Sequence, residues 1–564
     1  MKVGPLFTDA IHTEDLSGRR HAQIFEAQNK VRRYLFPALI CLFGVVLLGR
    51  LLFLQIIQGT YYRSLSDNNR IRTTTIHAPR GIIFDRNSIP LVYNIPGFRK
   101  VVGDKVEILD NATGITLLSQ NDKTLEVDSL RKYPFTDSLS HVIGYIGQIS
   151  PDELKKPQFQ GYLSSDLVGK MGIEKEYEGM LKGIDGKTLS EVDATGKPIR
   201  KLGTTDPIPG QNITLTIDSK FQQTVYTAMQ GVQKGAAIVS TPKGEILAMV
   251  SKPSFDPNLF TMGAAYQVGS SSAYPTVSSV LLDNQSQPVL NRAISGVYPP
   301  GSTFKLITAA AGLEGNIVDE NFTITDTGVI KVGDFSFANW YYTQYGKTEG
   351  QVNITKAIQR SNDIYFYTVG NLLGVDRLSA FAEKFGLGHI LGIDLPGEDS
   401  GLVPTKEWKL SVVGDKWYLG DDYHYGIGQG YLLTTPLQVN AWTQAIANKG
   451  MLYQPHLLMS KNNNTLSKGL LSEKNFALIK QGMVEACNTG GVAWPLFNYK
   501  IPVACKTGTA QHGDENTLPH AWITFFAPAD NPQIIVTVLS ESSGEGSNVA
   551  GPIAKQILDA YFGK

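Results

Sequence analysis

The sequence predicts an α+β fold: a mixed, strand-containing domain, then a domain built on one antiparallel sheet with helices on its faces, behind a single membrane-crossing helix. Three observations carry this. One apolar run near the N-terminus is long enough to cross a bilayer. Gly and Pro punctuate short apolar segments from about residue 77 to residue 210. Paired strands stand at both ends of the remaining chain, with long helical stretches between them.

Composition bounds the function. The chain has 564 residues, enough for several domains, with 42% hydrophobic, 10% aromatic and 18% charged residues, which is globular and poor in charge. Lys plus Arg and Asp plus Glu each total 51, so no basic field exists to hold a nucleic-acid backbone, and nucleic acid is excluded as an expected partner. The 3 cysteines, Cys41, Cys487 and Cys505, are too few for a disulfide scaffold, although the latter two could pair. No cysteine or histidine neighbours form a zinc-type cluster, and no metal site is expected.

The first element is the apolar segment Tyr34 to Ile57, interrupted only by Arg50 and Gln55. As a helix its length reaches about 36 Å, against a hydrocarbon core of ~30 Å. Arg32 and Arg33 before it predict a cytoplasmic N-terminus, with everything after Ile57 outside. The polar head of residues 1–33 and the charge at Arg50 argue for an uncleaved anchor rather than a signal peptide. Arg50 either snorkels to the outer interface or pairs with a membrane partner.

A polar stretch from Ser64 to Thr75 follows, then Arg80-Gly81-Ile82-Ile83-Phe84-Asp85-Arg86-Asn87, a turn into a short apolar strand. Alternation at Ile213-Thr214-Leu215-Thr216-Ile217 predicts a strand, and a helix is expected from Ser219. These signals divide the chain into a tail of residues 1–33, an anchor of 34–57, a mixed domain of 58–225 and a C-terminal domain of 226–564. In the last, Ala236 to Ser240 and Glu245 to Val250 flank Pro242-Lys243-Gly244 as a hairpin; Ala521 to Phe526 and Gln533 to Leu539 form a second, and a closing helix runs from about Val549 to Phe562. The Ser-rich stretch Ser270 to Ser286 is expected to be a loop.

The chemistry concentrates in three places. Tyr298-Pro299-Pro300-Gly301-Ser302-Thr303-Phe304-Lys305 puts Ser302 in the first turn of a helix with Lys305 three residues on, on the same face. A serine needs a base to become a nucleophile, and a lysine serves once burial or neighbouring cations lower its pKa. Alone the pattern is weak: Ser129 with Lys132 and Ser240 with Lys243 share it. Ser361-Asn362-Asp363, before an aromatic run, reads by itself as a helix cap. Lys506-Thr507-Gly508-Thr509 reads as a strand carrying a cation, a hydroxyl and a glycine that lets a ligand's backbone approach. Gly426-Ile427-Gly428-Gln429-Gly430 lacks the βαβ surroundings of a dinucleotide loop and is rejected as one.

The conjunction is specific. Ser302-x-x-Lys305, Ser361-x-Asp363 and Lys506-Thr507-Gly508, in this order, resemble the three motifs of penicillin-recognising serine acyltransferases. Arg80 to Asn87, Gly172-Ile173-Glu174-Lys175, Ser254-Phe255-Asp256-Pro257-Asn258, Gly392 to Glu398 and Gly426 to Pro436 extend the resemblance to class B penicillin-binding proteins over nearly everything after the anchor. Gly397-Glu398 with Gly401-Leu402 and Trp408, and Asp363 where the division type carries Asn, look more like the elongation type.

The resemblance implies a penicillin-binding, serine β-lactamase-like transpeptidase domain behind an elongated pedestal, and a D,D-transpeptidase that cross-links peptidoglycan. Ser302 would attack a stem pentapeptide, Lys305 would be the base, Ser361 the proton relay and Asp363 its orienting group. Lys506 and Thr507 would hold the terminal carboxylate, and Gly508 and Thr509 would complete the substrate strand, with the N–H groups of Ser302 and Thr509 as oxyanion hole. It implies no cofactor, covalent inhibition by β-lactams, contact with membrane lipid, and a polytopic SEDS-family glycosyltransferase as partner. A division-type enzyme and a catalytically silent scaffold are the alternatives; a β-lactamase has no use for such a pedestal, and a β-lactam sensor needs more than 33 residues inside.

Overall fold

The computed structural model describes residues 22–120, 122–193, 197–270, 272–514 and 516–563, with side chains described outside 22–33 and 66–69. Of the expected tail, residues 1–21 lie outside the described residues. A helix over Ala22–Leu52 passes through Pro37 and continues as a wide turn over Phe53–Ile57. Its Tyr34–Ile57 stretch is long and apolar enough to cross a membrane and is not buried against other parts of the chain. This fits single-pass anchoring. Arg50 lies over the ring of Phe53, 5.5 Å from its centroid.

The chain divides into two compact units. The first comprises residues up to Ile76 and Asp185–Asp206. In it the polar stretch after the anchor is a helix to Arg70 and a strand over Ile71–Ile76, which pairs with Gly186–Val192 and through it with Pro198–Thr205.

The second unit comprises His77–Ile184 and Pro207–Lys564. Its first part is a sheet around the long strand Pro90–Val102, paired with Lys105–Leu109 and Leu125–Lys132. Ile83–Phe84 joins it and pairs in parallel with Ile213–Thr214, so the strand expected over Ile213 to Ile217 is shorter than its alternation suggested. Arg80 and Glu174, both noted in the sequence, meet here. Glu174 is fully buried and accepts from Arg131 Nε at 2.6 Å and Arg80 Nη2 at 2.9 Å, while Arg80 also donates to Glu178 at 2.8 Å. Desolvation drives the Glu174 carboxyl up, but the two guanidinium groups outweigh it and hold the group below its usual range.

The remainder is a three-layer core. Its elements are α1 (Ser219–Ala228), β1 (Gly235–Ser240), β2 (Ile246–Lys252), α2 (Lys305–Glu314), α3 (Ile354–Arg360), α4 (Asp363–Lys384), α5 (Pro436–Ala447), α6 (Glu473–Ala486), β3 (Ala504–Ala510), β4 (His520–Ala527), β5 (Ile534–Ser540) and α7 (Ala550–Phe562). The sheet order is β2-β1-β5-β4-β3, antiparallel throughout, with the N-terminal hairpin docked on β5. The period-2 pattern explains the layering. Ala236, Ile238, Ile535 and Leu539 face α2, α4 and α5, whereas Ala237, Val239, Val536 and Val538 face α1 and α7. Both expected hairpins and the closing helix are present.

One expectation fails. Within Ser270 to Ser286 the structure places a helix, Val277–Leu282, because Thr276 and Ser279 form a reciprocal capping box and Val280 is buried. Serine suits loops and helix caps alike, and here one of the serines caps.

Candidate active site

Pro299 and Pro300 stop the chain before Ser302, and Gly301, at φ +53°, turns it into a short 3-10 turn over Gly301–Thr303 that leads into α2. Ser302 is thus one turn ahead of the helix proper rather than in its first turn. The turn is held from below: Gly301 N–H donates to Gly428 O at 2.9 Å, and a Cβ on Gly428 would fall 2.2 Å from Gly301 O. The glycine-rich segment that is no nucleotide loop is therefore the floor on which the serine turn rests.

Lys305 is wholly buried. Its Nζ donates to Asp363 Oδ1 at 2.6 Å, to Ser361 O at 2.8 Å and, at 3.4 Å, to Ser361 Oγ. Ser361 ends α3 in the left-handed conformation at φ +54°, which is strained for a serine and turns its hydroxyl toward both lysines. Lys506, also wholly buried, donates to Ser361 Oγ at 2.8 Å and Thr507 O at 2.9 Å. One hydroxyl therefore links the lysine of the first motif to that of the third.

The two lysines differ electrostatically. Burial pushes the Lys305 ammonium down, and Asp363 pulls it back up. Lys506 is driven well below its usual range, first by burial and then by the charge of Lys305, with Asp363 in partial opposition.

Asp363 opens α4 and is fixed on every side. Its Oδ2 accepts from the Trp340 backbone at 2.9 Å, and its own N–H donates to Asn339 Oδ1 at 3.1 Å. Asn362 caps α4 through Tyr365 N, and its amide donates to Asp326 Oδ2, which Asn339 also contacts at 2.8 Å. Asp326, Asn339 and Trp340 carry no signal in the sequence. No motif spacing marks them; only a turn-forming Asp-Thr-Gly at residue 326 hints at an ordered loop.

β3 is an edge strand, as expected, but its Lys506 points inward. A Cβ on Gly508 would meet Thr303 Cγ2 at 3.0 Å and Pro300 O and Trp522 Cβ at 3.1 Å. Glycine here admits the protein's own serine turn, where the sequence suggested a ligand. Ser302, Ser361, Asp363, Thr507 and Thr509 line one cleft of about 620 Å³, together with Trp340 and Arg360. Beneath it a disulfide joins Cys487, at the end of α6, to Cys505, next to Lys506. The pairing that the sequence left open is made.

The arrangement can activate a hydroxyl beside a buried lysine pair and seat an anion along β3. Comparison with known proteins gives the same chemistry. Residues 235–559 match the family described as penicillin binding protein transpeptidase domain, and residues 122–215 match the penicillin-binding protein dimerisation domain. The chain is 34% identical to the peptidoglycan D,D-transpeptidase MrdA of Escherichia coli K12, over 94% of each protein. Among solved structures it resembles the penicillin-binding protein PBP2 of Helicobacter pylori in complex with MreC, with TM-score 0.74 and 29% identity, covering 87% of this chain and 99% of that one. It also resembles a chain from a peptidoglycan synthase complex that coordinates polymerization and crosslinking, with TM-score 0.73 and 29% identity, covering 94% and 98%.

Proposed function

The chain belongs to the class B penicillin-binding proteins of the PBP2 type and is a serine-type peptidoglycan D,D-transpeptidase of cell elongation, and from that premise we propose the roles of its residues. Ser302 is the nucleophile. It attacks the penultimate D-Ala carbonyl of a stem pentapeptide, the C–N bond to terminal D-Ala breaks, and an acyl ester remains on Oγ. Lys305 takes the serine proton, and Ser361 passes it to the leaving amine. Asp363 holds Lys305 in register. Lys506 and Thr507 seat the terminal carboxylate, Gly508 keeps β3 against the serine turn, and the N–H groups of Ser302 and Thr509 face the oxyanion. An amine of a second stem then attacks the ester, and its proton returns to Ser302 through the same groups. No cofactor takes part.

The observation that carries this reading is the Ser361 hydroxyl, bonded to Lys506 and within 3.4 Å of Lys305. It supplies a proton path between base and leaving group. It also gives the substrate carboxylate a task beyond anchoring. Lys506 lacks a carboxylate partner of its own among the described residues, and an arriving anion favours its charged form. That charge in turn disfavours a proton on Lys305, so substrate binding favours the base.

The decisive experiment is Ser302→Ala. Covalent labelling by a fluorescent penicillin is expected to vanish while the thermal unfolding of the protein is retained. A penicilloyl adduct mapped by mass spectrometry to another serine refutes the assignment.

On a larger scale, residues 58–225 act as pedestal and 226–564 as transpeptidase domain. The N-terminus is cytoplasmic and the catalytic unit lies outside, as Arg32 and Arg33 favour. The polymerising partner is a SEDS-family glycosyltransferase, in keeping with the likeness to a chain of a synthase complex.

A further inference from the structure

Two charged side chains stand on the cleft wall outside the Ser302 network, Arg360 and Glu545. Arg360 is paired with an acid and with backbone carbonyls. Its Nε donates to Glu349 at 2.7 Å, its Nη1 to the carbonyls of Gly490 and Gly491 at 2.9 and 3.2 Å, and its plane lies over Trp340. Glu545 differs. Its Oε1 accepts from the Gln344 amide at 2.5 Å and its Oε2 from Asn548 at 3.0 Å. Both donors are neutral, so the carboxylate is held in one orientation while its charge stays uncompensated among the described residues.

The backbone fixes its position as firmly. Gly546 N–H donates to Thr509 Oγ1 at 3.3 Å, and a Cβ on Gly546 would lie 2.3 Å from the carbonyl oxygens of Gly508 and Trp522. Glycine is required for that approach, and it ties Glu545 to the strand that carries Lys506 and Thr509. An unpaired anion on the wall of a cleft whose reaction consumes a primary amine invites one ligand. Resting on the transpeptidase reading above, we propose that Glu545 docks the amine acceptor as its ammonium ion, the form a primary amine takes in neutral water. The docked ammonium releases one proton to solvent before it attacks the acyl ester. Glu545 therefore raises acceptor occupancy without entering the chemical step, which makes it a specificity-determining residue.

The test uses the full-length protein acylated by a soluble thiolester donor. Nα-acetyl-lysine amide serves as cationic acceptor and methanol as neutral acceptor, with Glu545→Gln and Glu545→Lys compared against the parent. The expected result is a rise in KM for acetyl-lysine amide of about tenfold in Glu545→Gln and more in Glu545→Lys, with kcat and methanolysis within about twofold. Fluorescent-penicillin labelling reports an intact donor site. An unchanged KM for the amine overturns the inference, and so does an equal loss with methanol or a loss of labelling in the variants, each of which assigns Glu545 to structure or to the donor half-reaction. Failure of the parent itself to be acylated at Ser302 would instead overturn the transpeptidase roles.

Discussion

Replacing Gly508 by alanine adds one methyl group and removes no catalytic atom, yet it is expected to damage the site. The new Cβ would meet Thr303 Cγ2 at 3.0 Å and both Pro300 O and Trp522 Cβ at 3.1 Å, tighter than ordinary contact on three sides. None of these neighbours can swing away. Thr303 is buried and bonded to Pro300 O at 2.8 Å, and the Trp522 indole donates to Pro299 O at 3.1 Å. The strain must move either β3 or the turn that carries Ser302. Overpacking of this kind costs about 1–3 kcal/mol of stability, and a displacement of the nucleophile approaching ~1 Å costs up to about 100-fold in rate. The assay pairs the second-order acylation rate by a fluorescent penicillin with urea unfolding of the same preparation. Both are expected to fall. Acylation within about twofold of the parent at unchanged stability refutes the packing argument. Loss of acylation at unchanged stability shows that the glycine serves the ligand, as the sequence alone suggested.

Lys506→Ala is expected to slow acylation by carboxylate-bearing donors by about 10- to 100-fold while sparing an uncharged ester; equal loss for both would place Lys506 in the chemical step. Asp363→Asn removes the charge that draws Lys305 toward its cationic form. The base is then neutral at lower pH, and the acidic limb of the pH–acylation profile, measured with an uncharged ester, is expected to move down; a limb that stays or moves up contradicts the pairing. Asp137 is pushed up to about 6, by burial first and by Asp256 second. With the folded value raised, its contribution to stability is present at low pH and lost as pH rises through about 6. Asp137→Asn is accordingly expected to stabilise the fold by about 1–2 kcal/mol at pH ~8 and not at pH ~4, read by urea unfolding; equal stability of the two proteins at the higher pH refutes it.

Much of the active site is legible in the amino-acid sequence, for a physical reason. A nucleophile, a base, a relay and an anion anchor demand particular residue types, so Ser302, Lys305, Ser361 and Lys506 leave a signature. The sheet is legible because the nearly unbroken apolar runs at Ala236 to Ser240 and Gln533 to Leu539 follow from two buried faces. The supports are not. Asp326 and Asn339 position Asp363 through hydrogen bonds that other polar residues could make at other spacings. Gly428 and Gly508 act by what they lack, and only the fold shows what occupies the space. Glu545 stands out only because its neighbours in three dimensions are neutral. The Val277–Leu282 helix is hidden by serines that serve caps and loops alike.

The sheet closes across the length of the domain: Ala237 in β1 pairs with Val538 in β5, and β4 and β3 are laid onto that junction. During synthesis, a nascent chain that has already produced Ser302, Ser361 and Lys506 still has no register for β3, because β4, with which β3 pairs, and β5, which ties β4 to β1, have not yet emerged. A stop codon between residue 510 and residue 534 would yield a polypeptide with every nucleophile, base and anchor and no enzyme. Contacts this distant in sequence also form slowly, so the free edge of β1 stays exposed until the last strand arrives. For this domain, the C-terminal residues set the moment at which the active site comes into being.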